Sequence, residues 1–136
     1  MITKQEYFSR NKKPIAASEI LEEHLINAEV LIIKVNALWV AFEKDNGNIL
    51  LVVSSGYRTK AINASIKGSA KRSHHMMGNA VDIQDRQQIL QRWLKTPAGL
   101  KALEDNGLYV EDFKYTKTWV HLQKVVPKSN NRFFIP

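Results

Sequence analysis

Ser73-His74-His75-Met76-Met77-Gly78-Asn79-Ala80-Val81-Asp82 constrains this chain more than any other stretch. It sets a histidine and an aspartate seven positions apart across a small Gly/Ala hinge. Roughly forty residues further on, Trp119-Val120-His121-Leu122 supplies another imidazole in an apolar frame. Two imidazoles and one carboxylate are the ligand set of an open zinc site, in which a fourth position is kept for water. Water held there becomes a nucleophile near neutral pH. His74 adjoins His75 and should point elsewhere, so one of the pair binds. A fold that uses these residues must bring two distant segments together, and the chain reads first as a metallohydrolase.

The remaining composition narrows the options. A chain of 136 residues fits one domain with a real hydrophobic core, here with a basic arm over 1–17 and a tail over 126–136. There is no cysteine, so thiolate metal sites, disulfides and cysteine nucleophiles are excluded. The formal net charge of +7 favours anionic partners such as wall polymers. Nucleic acid ranks last among them, because the cations are scattered and no aromatic–basic stripe is present. The first residues, Met1-Ile2-Thr3-Lys4-Gln5-Glu6, do not read as a secretory signal. The apolar run from Val30 to Phe42 is interrupted by Lys34 and Asn36, and reads as too short and polar for a transmembrane segment. The expectation is synthesis in the cytoplasm without a signal peptide.

Local patterns give an α+β order. Ser18 as N-cap, acids at 19, 22 and 23, and apolar residues from Leu21 to Trp39 at helical spacing predict a long helix over about 18–43. It stops at Asp45-Asn46-Gly47. Ile49 to Val53 predicts a buried strand. Thr59 predicts a cap for a short helix to about Ile66, and Ala80 to Ile83 suits a strand. Asp85 is placed as the cap of a helix reaching Leu94. Thr96-Pro97 opens another helix, which Asn106-Gly107 closes. Leu108 to Val110 and Thr118 to Val125 predict the last strands. Trp39 and Trp93 read as core, His24 as a helix residue, and Lys124, Lys128 and Arg132 as an exposed basic edge. The expected architecture is a small antiparallel sheet carrying the site, with helices packed on it. Trp119 and His121 share a strand face, so an aromatic wall stands beside a ligand.

Taken jointly, Ser55-Gly56-Tyr57-Arg58, Asn63, Gly68, Ser73, His75, Gly78, Ala80, Asp82 and Trp119-Val120-His121 resemble the zinc D-Ala-D-Ala carboxypeptidases. These peptidoglycan-cleaving enzymes share a fold with lysostaphin-type peptidases and the hedgehog signalling domain. The resemblance covers about residues 54–123. It implies that His75, Asp82 and His121 hold Zn2+, and that Arg58 stabilises the oxyanion. Tyr57, Ser73 and Trp119 are candidate substrate contacts, with a core reading of Tyr57 beside that one. It also implies hydrolysis of an amide bond in a peptidoglycan stem peptide, by a carboxypeptidase or an endopeptidase acting on the cell wall. Phage endolysins belong to this company. The rival reading is a non-catalytic zinc module that binds wall or builds a virion.

One departure is visible. Many members carry a catalytic carboxylate three residues before the last ligand, where this chain has Thr118. Glu111 and Asp112 lie seven and six residues upstream of Thr118, and Glu111 is the favoured general base.

Overall fold

The computed structural model describes residues 1–136. The chain opens with a one-turn helix, α1 (Lys4–Tyr7), and a two-stranded ribbon, β1 (Ser9–Arg10) with β2 (Lys13–Pro14). The long helix α2 (Glu22–Asn46) follows, then β3 (Val53–Ser55) and α3 (Lys60–Ser65). A 3-10 turn (His74–Met77) leads into β4 (Ala80–Gln84). Two helices come next, α4 (Ile89–Leu94) and α5 (Pro97–Asp105). The chain ends with β5 (Tyr109–Glu111), β6 (Trp119–Gln123) and β7 (Phe133–Phe134).

Five strands form the main sheet in the order β3-β4-β6-β5-β7. The first four pair antiparallel, as the α+β reading requires. The edge differs: β7 lies parallel to β5, so the sheet is mixed. Alternation sorts the two faces. Val81, Ile83, Val110, Val120 and Leu122 are fully buried on one face. They belong to one core cluster with Ala28, Leu31, Val35, Leu38, Trp39 and Phe42 of α2. Asp82, His121 and Glu111 come from the alternate positions and line a groove on the other face.

Helix α2 starts three residues later than its cap signal suggested. Ala17–Glu19 forms a separate 3-10 turn, and Leu21 occupies the N-cap position without a side-chain bond. By length and composition α2 is apolar enough to cross a membrane, contrary to the sequence reading. Here its apolar side is the centre of the core, and Lys34 and Asn36 bond Asn106 and Ile2 rather than breaking the helix.

The basic arm at 1–17 is built from defined elements. Thr3 caps α1 in a reciprocal capping box with Glu6. Tyr7 is fully buried, and its hydroxyl donates to the Ala80 carbonyl at 2.8 Å. The strand expected at Ile49–Val53 also moves. Leu51 alone is buried in Leu50–Val52, and the ladder with β4 forms only at Val53↔Ile83 and Ser55↔Asp82, across a register shift. Arg132 and Lys124 do not form a free basic edge. Arg132 donates to the Leu108 carbonyl and stacks 4.3 Å over Tyr109, and Lys124 reaches Asn27.

Other local signals hold. Thr59 and Thr96 cap α3 and α5, and Asp85 accepts from the Leu90 and Gln91 amides at the start of α4. Gly78 ends the histidine turn in the left-handed region, at φ +74°. At this glycine the chain also passes close to a neighbouring backbone. The close approach is to α2, where an added Cβ would strike the His24 carbonyl oxygen.

Gly78→Ala therefore combines left-handed strain of about 1–2 kcal/mol with a backbone collision. Its urea unfolding midpoint should correspond to a loss of more than about 2 kcal/mol. An unchanged midpoint would show that the turn docks on α2 with slack.

Candidate metal centre

The site is built on paired strands. In the β4–β6 ladder Asp82 lies directly opposite His121. His75 comes from the 3-10 turn just before β4, where the Ser73 hydroxyl accepts from the His75 amide. The turn is strapped from its far side. The Arg58 amide donates to the His75 carbonyl at 3.1 Å, and His75 Nδ1 donates to the Gly56 carbonyl at 2.8 Å. A carbonyl can only accept, so the proton is on Nδ1 and the Nε2 lone pair faces inward.

One ligand atom each from His75, Asp82 and His121 lies within 4.8 Å of the others. His75 Nε2 stands 3.2 Å from Asp82 Oδ1, and His121 Nδ1 stands 2.9 Å from the same oxygen. His75 Nε2 is buried and makes no hydrogen bond, despite that short distance. A tetrahedral zinc with ligand bonds of about 2.0–2.1 Å spaces its ligand atoms by about 3.3 Å. The orphaned nitrogen, the spacing and the His/His/Asp chemistry all fit zinc.

The atoms behind the ligands have defined tasks. His121 Nε2 meets Gln123 Oε1 at 3.0 Å, and the Gln123 amide nitrogen donates to the Val125 carbonyl. Gln123 thus fixes the imidazole with Nδ1 toward Asp82, an outer partner of the kind that orients metal-binding histidines. It was missed in the sequence, although it sits two positions along the strand from His121 and so on the same face. Asp82 Oδ2 accepts from Arg58 at 3.3 Å. Arg58 is in turn held by Ser55 Oγ at 3.0 Å and Asn63 Oδ1 at 3.4 Å. The arginine pairs with Asp82 and lines the groove.

Electrostatics separate the two carboxylates. Burial opposes ionisation of Asp82, but the neighbouring His75 and His121 imidazoles outweigh it and hold Asp82 below the usual carboxylate range. Burial pushes Glu111 up, against the pull of His121 and with the repulsion of Asp82. Burial would lower His121, yet its hydrogen bond to Asp82 and the Asp82 charge raise it overall. His74 lines the groove as a neutral ring, lowered by burial and by the other two imidazoles.

The groove over the ligands has a volume of about 740 Å³ and a second lobe of about 490 Å³. Arg58, Asp82 and Trp119 line both lobes and form the waist between them, while His121 lines the larger lobe alone. Ser73 and Trp119 reach the groove, Trp119 as a partly exposed wall. Tyr57 does not. It is buried in the core, its hydroxyl is 2.9 Å from His24 Nδ1, and its ring packs at 5.3 Å on Phe8. These surroundings match the core reading of Tyr57. Glu111 lines the groove with His121, whereas Asp112 turns back to cap the Lys114 amide.

A family model described as Peptidase M15 matches residues 8–123, most of the chain. The chain belongs to this family of zinc peptidases acting on peptidoglycan. With the His75–Asp82–His121 group, it is a zinc metallopeptidase. Comparison with curated proteins finds no match.

Purified protein should carry one zinc per chain. Gln123→Ala should keep the fold and weaken zinc binding by about 10–100-fold, measured by chelator competition. Zinc needs a neutral His121, and the raised pKa lets protons compete at higher pH than for an ordinary histidine. Affinity should therefore start to fall as pH drops through a range above 6.5, the ordinary histidine value. A flat affinity between pH 8 and about 6 would contradict this assignment.

Proposed function

We propose that this protein hydrolyses an amide bond in the stem peptide of peptidoglycan, with Glu111 as general base. One observation carries the assignment of the base. Asp82, His121 and Glu111 form a row across β4, β6 and β5. Asp82 pairs with His121, and Val110 pairs with Leu122. Continuing that register by one residue sets Glu111 beside His121 on the groove face. Neighbours across antiparallel strands have Cβ atoms about 5 Å apart whatever their separation in sequence. Glu111 supplies from β5 the carboxylate that Thr118 lacks.

Bound zinc would supply an activated water and a Lewis acid beside the three ligands. The rest belongs to the chain. Glu111 accepts a proton from the attacking water and returns it to the nitrogen of the leaving amine. Burial, by raising its pKa, makes it a stronger base than an ordinary glutamate. Arg58, with three nitrogens already anchored, is held at the waist where negative charge develops on the carbonyl oxygen. Trp119 offers a flat wall, and Ser73 a hydroxyl beside the histidine turn.

Two lobes that meet at Arg58 and Asp82 fit a substrate that continues past the cleaved bond, which favours an endopeptidase over a strict carboxypeptidase. Lys67, Arg72 and Lys128 line the larger lobe, a rim suited to an anionic wall polymer. A phage or prophage lytic role rests on the motif resemblance alone.

Release of amino groups from purified peptidoglycan tests the reading. Chelator should abolish it and added zinc restore it. Glu111→Gln should lower kcat by about 10²–10⁴-fold while zinc content stays at one per chain. The acid limb of kcat/KM should lie above the ordinary glutamate value of 4.5, because only the deprotonated carboxylate is active. Full turnover in Glu111→Gln would remove it as the base. A zinc-loaded wild type with no release, yet bound to the wall, would leave the non-catalytic module.

A further inference from the structure

The family match ends at residue 123, but the chain beyond it returns to the groove. Pro127, Lys128 and Phe134 line the lobe above the ligands. The last strand, β7, pairs with β5 at Val110↔Phe133 and Glu111↔Phe134.

Its position matters because β5 is poorly held from the other side. The β5–β6 ladder consists of Tyr109↔Gln123 and Val110↔Leu122, and stops one residue short of Glu111. The amides on either side of Glu111 both donate to the tail: Val110 to the Arg132 carbonyl and Asp112 to the Phe134 carbonyl, each at 2.8 Å. The backbone of the proposed base is thus fixed by β7.

Side chains lock β7 in turn. Arg132 spans from the Leu108 carbonyl to the Tyr109 ring. Phe133 meets Phe113 edge-on at 5.8 Å, with Lys95 5.5 Å from each ring. Phe134 is buried, and its ring stands edge-on to His121 with centroids 6.1 Å apart. It is Glu111's neighbour in the ladder and touches the imidazole that Glu111 flanks.

We propose that β7 is a working part of the active site, and that Phe134 is a positioning residue which holds Glu111 at the His121 side of the groove. The proposal rests on the reading of Glu111 as general base. Metal binding is independent of it, since the ligands are carried by the five-pair β4–β6 ladder and the histidine turn.

The test uses the full-length zinc-loaded chain with Phe134→Ala, Phe134→Leu, Glu111→Gln and the double variant Glu111→Gln/Phe134→Ala. Turnover is read on purified peptidoglycan, zinc affinity by chelator competition, and amide exchange by NMR. In Phe134→Ala, exchange at Val110 and Asp112 should speed up by about tenfold or more, while amides of β4 and β6 stay within about twofold. Its kcat should fall by about 10–100-fold, with KM and zinc affinity within about threefold. Phe134→Leu should recover much of the loss. The double variant should be no slower than Glu111→Gln, because residues that act as one unit are not additive.

Unchanged exchange at Val110 and Asp112 would overturn the proposal. So would fully multiplicative losses in the double variant, or zinc lost in step with kcat. Full turnover in Glu111→Gln would overturn the base assignment instead. The exchange at Val110 and Asp112 would then still decide whether Phe134 fixes this segment.

Discussion

The register between β4 and β6 is the constraint on which the rest of this molecule depends. Five consecutive pairs, from Ala80↔Gln123 to Gln84↔Trp119, put Asp82 opposite His121. A slip of one residue would send one of them to the other face. The ligands themselves do not set that register. Val81, Ile83, Val120 and Leu122 do, each fully buried against the α2 side of the sheet. Exposing all four would cost about 6–12 kcal/mol at about 1.5–3 kcal/mol each. That matches the net stability of a typical domain. The apolar alternation therefore enforces the polar site on the opposite face.

Signals that are complete within a few residues are legible in the sequence itself. Thr96-Pro97, Asn106-Gly107 and the Thr59 cap are of this kind. The ligand set is legible as well, because its spacing carries a family resemblance. What the sequence hides depends on partners far along the chain. Tyr7 is buried through its bond to the Ala80 carbonyl, 73 residues away. Ile49–Val53 looks like a buried strand, but the fold covers only Leu51 within Leu50–Val52. Ser18 is a good cap residue that the chain does not use, since the residues around it are drawn into a separate turn. The tail aromatics at 133 and 134 hint at docking. Nothing local shows that they form a parallel edge strand.

Thr118 and Glu111 illustrate the same point within the site. Along the chain they are seven residues apart, and a search confined to the neighbourhood of His121 finds only the threonine. Across the sheet the positions that flank His121 on the groove face are Asp82 on β4 and, by continued register, Glu111 on β5. A carboxylate needed near that imidazole can come from either side of the row without altering the ladder. Under the proposed reading, function is kept by position in the sheet rather than by spacing in the sequence. That geometry also explains why Asp112, one residue later, is no substitute. Alternation turns it away from the groove, to the Lys114 amide.

The row also sorts the proton affinities that the chemistry needs. A buried carboxylate is tolerated only when it is paired, and Asp82 has the His121 imidazole on one oxygen and a guanidinium on the other. It is ionised before any cation arrives, and Arg58, itself tied to Ser55 and Asn63, keeps it aimed. The proton displaced by a metal is then one on His121, whose affinity for it Asp82 has increased. On the far side of the same imidazole, Glu111 has no such partners, and burial moves it the other way. Two carboxylates flanking one histidine are thus driven apart in proton affinity by their surroundings. Under the proposed reading, one is the anion that holds a metal, and the other the base that takes up a proton and releases it.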